Sequence, residues 1–211
     1  MKNLPQISEQ IRESFEVRNR ARDEALAQAR QVTRYSANVI RAVHRGEHES
    51  ARSQLEHTSK LTAALKVGLR DFPDLYFAGY TQDAIKEYVE ASIFSAIVWG
   101  EHLPRPEELG VEPAAYMNGL AESVGEMRRR CLDILRQGYS QQAEQLLAYM
   151  DDIFNVLVTM DYPDAITNGL RRQTDVIRSI LERTRGDLTL SLRQHSLQQS
   201  IEKLLDKLPG D

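Results

Sequence analysis

A chain of 211 residues, 41% apolar and 27% charged, can bury one sizeable core and is neither a disordered nor a membrane-embedded protein. Its formal net charge of −4 lacks the basic excess of most nucleic-acid-binding domains, yet 21 of its 27 basic residues are arginine, the side chain shaped for bidentate phosphate contacts and base stacking. Its one cysteine, Cys131, excludes an intramolecular disulfide and a cysteine-based zinc cluster, and with no signal-like h-region and no membrane-length apolar run a soluble cytoplasmic protein is expected.

Glycine and proline are few and clustered, and between the clusters apolar residues recur at helical spacing, so the fold class is all-α. The first helix is predicted over 6–45, on the stripe Ile11, Phe15, Leu26, Val32, Val39, Ile40 and Val43, with Gly46 as its stop. A second covers 49–69 and ends at DFPD. A third covers 75–99, opening near Pro73. The connector GEHLPRPEELGVEP is too short to divide domains, so residues 1–211 are expected to form a single domain. Helix four is predicted over 113–138, along Met117, Leu120, Val124, Met127, Cys131 and Ile134; helix five covers 140–160; helix six runs from DYPD to Thr184; and a seventh covers 188–208.

KEYVEA and AESVGE each set two glutamates one helical turn apart on one face: Glu87 and Glu90, then Glu122 and Glu126. By spacing alone such pairs are ordinary solvated surface. Like charges on one face subtract a little stability, however, and Ala121, Ser123 and Gly125 are small residues that let another helix approach closely. If the two helices lie side by side, four carboxylates converge, and such a pocket suits hard divalent cations, which take oxygen ligands. Paired Mg²⁺ or Mn²⁺ ions roughly 3.5–4 Å apart can activate water and steady the leaving oxygen of a phosphodiester.

HRGEH at 44–48 has the letters of an H-x-x-E-H zinc motif, which requires one continuous helix; Gly46 interrupts it, and a polar turn is expected. The arginines Arg18, Arg22, Arg30, Arg34, Arg41 and Arg45 mark the first helix, and Arg128, Arg129 and Arg130 directly follow Glu126. Salt bridges to Glu16, Asp23, Glu24 and Glu126 are the ordinary use of such residues, and phosphate contact is the alternative. Arg128–Arg130 are the group within reach of a phosphate held at the acids. No Gly-rich phosphate loop and no nucleophile elbow is present.

LYFAGYTQDAIKEYVEASIF and YMNGLAESVGEMRRRC, in that order, resemble two helices of translin and translin-associated factor X, EYVEA matching the factor X subunit in particular. The similarity extends to VRNRARDEALAQARQVTRYSANVIRAVHR and to the stretch from GYSQQAEQ to RTRGDL, covering about 8–190. The resemblance implies a translin-like bundle of about seven helices. It also implies a closed oligomer, an octamer in the family, and Mg²⁺-dependent cleavage of single-stranded RNA, with single-stranded DNA as a further ligand. Its four catalytic, metal-holding acids fall on Glu87, Glu90, Glu122 and Glu126, with Arg129, Arg128, Arg130, Arg18, Arg30 and Arg45 as the nucleic-acid-binding set. A lone compact copy, as in an archaeal or bacterial relative, is expected to be a homo-oligomer. The chain departs from the pattern in carrying Glu122 where Asp is usual, FAGY at 77–80 in place of a basic cluster, and no long inserted loop. The alternative reading is a non-catalytic, translin-type single-strand binder.

Overall fold

The computed structural model describes residues 3–206, and among them every regular element is helical. Six helices are long: α1 (Leu4–His44), α2 (His48–Gly68), α4 (Gly79–Trp99), α6 (Pro113–Leu135), α7 (Gln141–Val158) and α9 (Leu170–Leu205). Three are single turns: α3 (Pro73–Tyr76), α5 (Pro106–Leu109) and α8 (Asp164–Thr167). By packing, the chain divides into two compact units, Met1–Gly119 and Leu120–Asp211, the division falling inside the continuous helix α6.

In the first unit α1 packs along α2 and α4. Its core comes from Ala25, Ala29, Val32, Val39 and Val43 of α1, Leu65 of α2, and Ile85, Val89, Ile93 and Phe94 of α4, all nearly or fully buried. Burial begins only at Ala25, so the apolar residues of the first five turns, Leu4, Ile7, Ile11 and Phe15, remain exposed. α4 is buried on every side from Tyr88 to Ala96, as befits a helix with little amphipathic character. Two Schellman motifs end the long helices as the glycines predict. Glu47 N–H bonds to Ala42 C=O (2.9 Å) around Gly46 (φ 73°), and Glu101 N–H bonds to Ala96 C=O (2.9 Å) around Gly100 (φ 70°). Gly46 therefore breaks the chain between His44 and His48, and the HRGEH letters form a polar turn rather than a zinc helix.

In the second unit α7 packs on α9, and the core is built from Val124, Met127 and Cys131 of α6, Met150 and Leu157 of α7, and Leu170, Ile177, Leu181 and Leu188 of α9. Ser140 caps α7 by accepting from Gln142 N–H (3.2 Å). Cys131 is fully buried, its thiol directed at Ala143 C=O (3.5 Å), and burial pushes that thiol up to about 11, leaving it a small apolar side chain.

The structure corrects three predicted boundaries. The two helices predicted over the DYPD-to-Thr184 and 188–208 stretches are the single turn α8 followed by one helix, α9, that begins at Leu170 and runs through Gly186; residues 207–208 lie outside the described ones. A helical glycine is a cost rather than an obligatory break, and Thr184 and Leu188, buried on either side, hold the helix on the core. The helix predicted over 75–99 is split at Ala78, whose extended backbone (ψ 145°) separates the turn α3 from α4. The helix predicted to Gly138 ends at Leu135.

Nothing lies within 4 Å of a Cβ added at Gly186, and the position is exposed. Gly186→Ala is therefore expected to stabilise the fold by up to about 1 kcal/mol, read as a rise in melting temperature of roughly 2–4 °C.

Candidate metal and nucleic-acid site

Glu87 and Glu90 stand on consecutive turns of α4, on either side of Val89. Within the first unit the backbone of α6 comes hard against this turn. A Cβ at Gly119 would sit 2.6 Å from Val89 Cβ and 2.8 Å from the Lys86 carbonyl oxygen, far inside van der Waals contact. Only glycine permits that approach. The carboxylates of Glu87 and Glu90 each offer an oxygen within 4.8 Å of the other, and less than one turn beyond Gly119 on the unbroken α6, in the second unit, stands Glu122. Glu90 is the most enclosed of the three, at 9% exposure, whereas Glu87 and Glu122 are half-buried.

Oxygen donors alone, anionic and partly withdrawn from water, form the donor set of a hard divalent cation. The four sequence-predicted acids thus stand as two pairs, Glu87 and Glu90 on α4 of the first unit and Glu122 and Glu126 on α6 of the second. Glu126, a further turn along α6, is half-buried, with its carboxylate 3.6 Å from the Arg129 guanidinium.

The arginines divide by what they touch. Arg128 is held within the second unit, donating to Thr184 Oγ1 (2.8 Å) and pairing with Asp187 (2.9 Å) of α9. Arg129 is exposed and Arg130 half-buried. Arg18 pairs with Asp74, and Arg45 makes a bidentate pair with Glu47, Nε to Oε1 at 2.6 Å and Nη2 to Oε2 at 2.8 Å. These exposed pairs contribute little stability, so a phosphate could compete for either guanidinium. Arg30 is exposed on α1.

Two residues escape the sequence reading. Gly119 is the close-approach glycine, whereas Gly125, which the small-residue pattern suggested, has nothing within 4 Å of an added Cβ. Gln173 of α9 donates its amide N–H to Glu122 Oε1 at 3.0 Å. A glycine in a helix looks like a defect until the facing residue is known, and a bond between residues 51 positions apart leaves no periodic trace.

No family model matches the chain. An uncharacterised protein of Methanocaldococcus jannaschii is 30% identical over 185 residues, which are 87% of this chain and 82% of that protein. Among solved structures the chain is similar to the C3PO of Archaeoglobus, a translin and translin-associated factor X complex, at 34% identity. The match to its complex with duplex RNA has a TM-score of 0.82 and covers 88% of this chain and 96% of that one. The match to a second crystal structure of that C3PO has a TM-score of 0.81 and covers 88% of this chain and 97% of that one. Apo C3PO of Neurospora, at 21% identity, has a TM-score of 0.78 and covers 90% of this chain and 98% of that chain, a likeness of fold. No helix among the described residues is long and apolar enough to cross a membrane.

Proposed function

We propose, for a chain that belongs to the translin and translin-associated factor X family, that it is a Mg²⁺-dependent endoribonuclease cutting single-stranded RNA as a subunit of a closed, cytoplasmic homo-oligomer, an octamer. The observation that carries this reading is the close pair Glu87 and Glu90 on α4, in a chain 34% identical to the Archaeoglobus C3PO. Carboxylates at such short range repel one another, and a bound cation removes that cost. Mg²⁺ or Mn²⁺ held there supplies Lewis-acid polarisation of a phosphodiester and a water nucleophile at neutral pH.

The chain's own residues supply the remainder. Glu87, Glu90 and Glu122 hold the cation, and Glu126, one turn on, completes the acidic set from the side on which Arg129 opens to solvent. Arg129, at the rim, meets the phosphate on the strand beside the scissile one, and Arg130 follows it on the helix. Arg128 holds α6 to α9 and so keeps its neighbours on one face. Arg18 and Arg30 on α1, and Arg45 just past its end, extend the anion-attracting surface along the backbone of a longer strand. Assembly is supported by apolar side chains left exposed at helical spacing on two elements: Leu4, Ile7, Ile11 and Phe15 of α1, and Leu190, Leu197, Ile201 and Leu204 of α9.

The decisive assay is cleavage of labelled RNA in Mg²⁺ against EDTA, with single-stranded RNA, duplex RNA and single-stranded DNA as substrates. Single-stranded RNA is expected to be cut in Mg²⁺ and to remain intact but bound in EDTA, the binding weakening steeply with salt. Binding without cleavage in either condition would establish the non-catalytic, translin-type reading instead. The duplex arm matters because the Archaeoglobus relative is seen on duplex RNA.

A further inference from the structure

We propose that Gln173 is a positioning residue that fixes the Glu122 carboxylate for metal binding; the inference rests on the reading that Glu122 holds the cation. A carboxylate only accepts hydrogen bonds, so the atom of Gln173 facing Glu122 Oε1 at 3.0 Å is the amide nitrogen. The bond engages one oxygen of Glu122. A glutamate side chain has three rotatable bonds, and each partner it gains narrows the freedom of its carboxylate.

Gln173 is well placed to suppress that freedom because its own helix is anchored beside it. Leu170 and Ile177 are each 1% exposed, and Thr174 is buried with its hydroxyl donating to Leu170 C=O (3.0 Å). A neutral amide donor steadies the carboxylate without neutralising it, as a lysine or arginine at this position would. Hydrogen bonds of this kind from outside the ligand set orient metal-binding carboxylates, and losing one typically weakens metal binding 10–100-fold.

The geometry also makes Glu122 and Gln173 a matched pair. Aspartate at 122, one methylene shorter, would draw its carboxylate back from the amide. The effects of Glu122→Asp and of removing the amide should therefore overlap rather than add.

The test is Mn²⁺ binding followed by the loss of the free-ion EPR signal, on the full chain as wild type, Gln173→Met, Gln173→Ala, Glu122→Asp and the double variant Glu122→Asp/Gln173→Met. Gln173→Met keeps the length of the side chain and removes the donor, and Gln173→Ala checks that the added methyl does not act by crowding. Both are expected to weaken Mn²⁺ binding about 10-fold with unchanged melting in EDTA, and the double variant to bind no more weakly than the poorer single one. A wild type that binds Mn²⁺ while both Gln173 variants bind it equally well overturns the positioning role alone. Strictly additive losses in the double variant overturn it too. A wild type that holds no Mn²⁺ overturns the metal site itself.

Discussion

Glu90→Gln is expected to abolish RNA cleavage while leaving the apo protein at least as stable as the wild type. Glu90 is the most enclosed carboxylate of the acidic group, and glutamine matches its shape without its charge. Loss of a hydrogen-bonding partner outside the ligand set already costs 10–100-fold in metal affinity or activity, so loss of an anionic ligand should cost on the order of 10²-fold or more. Stability should move the other way. The carboxylates of Glu87 and Glu90 come within 4.8 Å of each other, where two unit charges repel by about 3 kcal/mol at an effective dielectric constant of 20, and neighbouring partners offset part of it. In EDTA the melting temperature of Glu90→Gln should therefore equal or exceed that of the wild type, by roughly 2–4 °C for each kcal/mol of repulsion relieved. Added Mg²⁺ should raise the melting temperature of the wild type by mass action and leave the variant unmoved. A variant that melts lower in EDTA and still responds to Mg²⁺ would make Glu90 a structural residue.

That pairing of lost activity with retained stability follows from what the sequence could and could not reveal. Glutamates three and four residues apart on helices announce a shared face, because helix geometry alone places them there, and the order of the two segments pointed to the partner helix. What lets α6 lie against the Glu87–Glu90 turn of α4 within the first unit is Gly119, and nothing in the local pattern distinguishes it from Gly125 or Gly186, which also sit inside helices. Helix boundaries were legible at Gly46 and Gly100, where a glycine turns the chain, but not at Gly169, which turns it too (φ 83°) between α8 and α9. They were not legible at Gly186, where buried neighbours override a weak local preference. The single-turn helices α3, α5 and α8 are too short to carry a period at all. The fate of the arginines was legible where the partner is local, as in Arg22 with Asp23 (3.1 Å) and Arg129 with Glu126 (3.6 Å), and not where it is distant in sequence: Asp187 and Thr184 engage Arg128, and Asp74 engages Arg18.

Gly119→Ala and Gly186→Ala make the same chemical change inside two helices of one protein, and opposite signs are expected. At both positions alanine gains about 1 kcal/mol of helix propensity. At Gly119 the new methyl would lie 2.6 Å from Val89 Cβ, 2.7 Å from Val89 Cγ1 and 2.8 Å from the Lys86 carbonyl oxygen. Neither the branch carbon of valine nor a helical carbonyl can swing aside as the tip of a long side chain could. The clash is relieved only by moving one helix away from the other, and overpacking of this kind typically costs 1–3 kcal/mol, with backbone on the opposing side placing it toward the upper end. The net loss should be about 1–2 kcal/mol, a melting temperature lowered by roughly 2–8 °C. The same displacement carries Glu122 with α6, so Mn²⁺ affinity should fall along with stability, although the substitution touches no carboxylate. Val89→Ala in the Gly119→Ala background removes Cγ1 but neither Cβ nor the Lys86 oxygen, and rescue should be partial for that reason. Should Gly119→Ala instead raise the melting temperature as Gly186→Ala does, α4 and α6 are not in contact at Gly119.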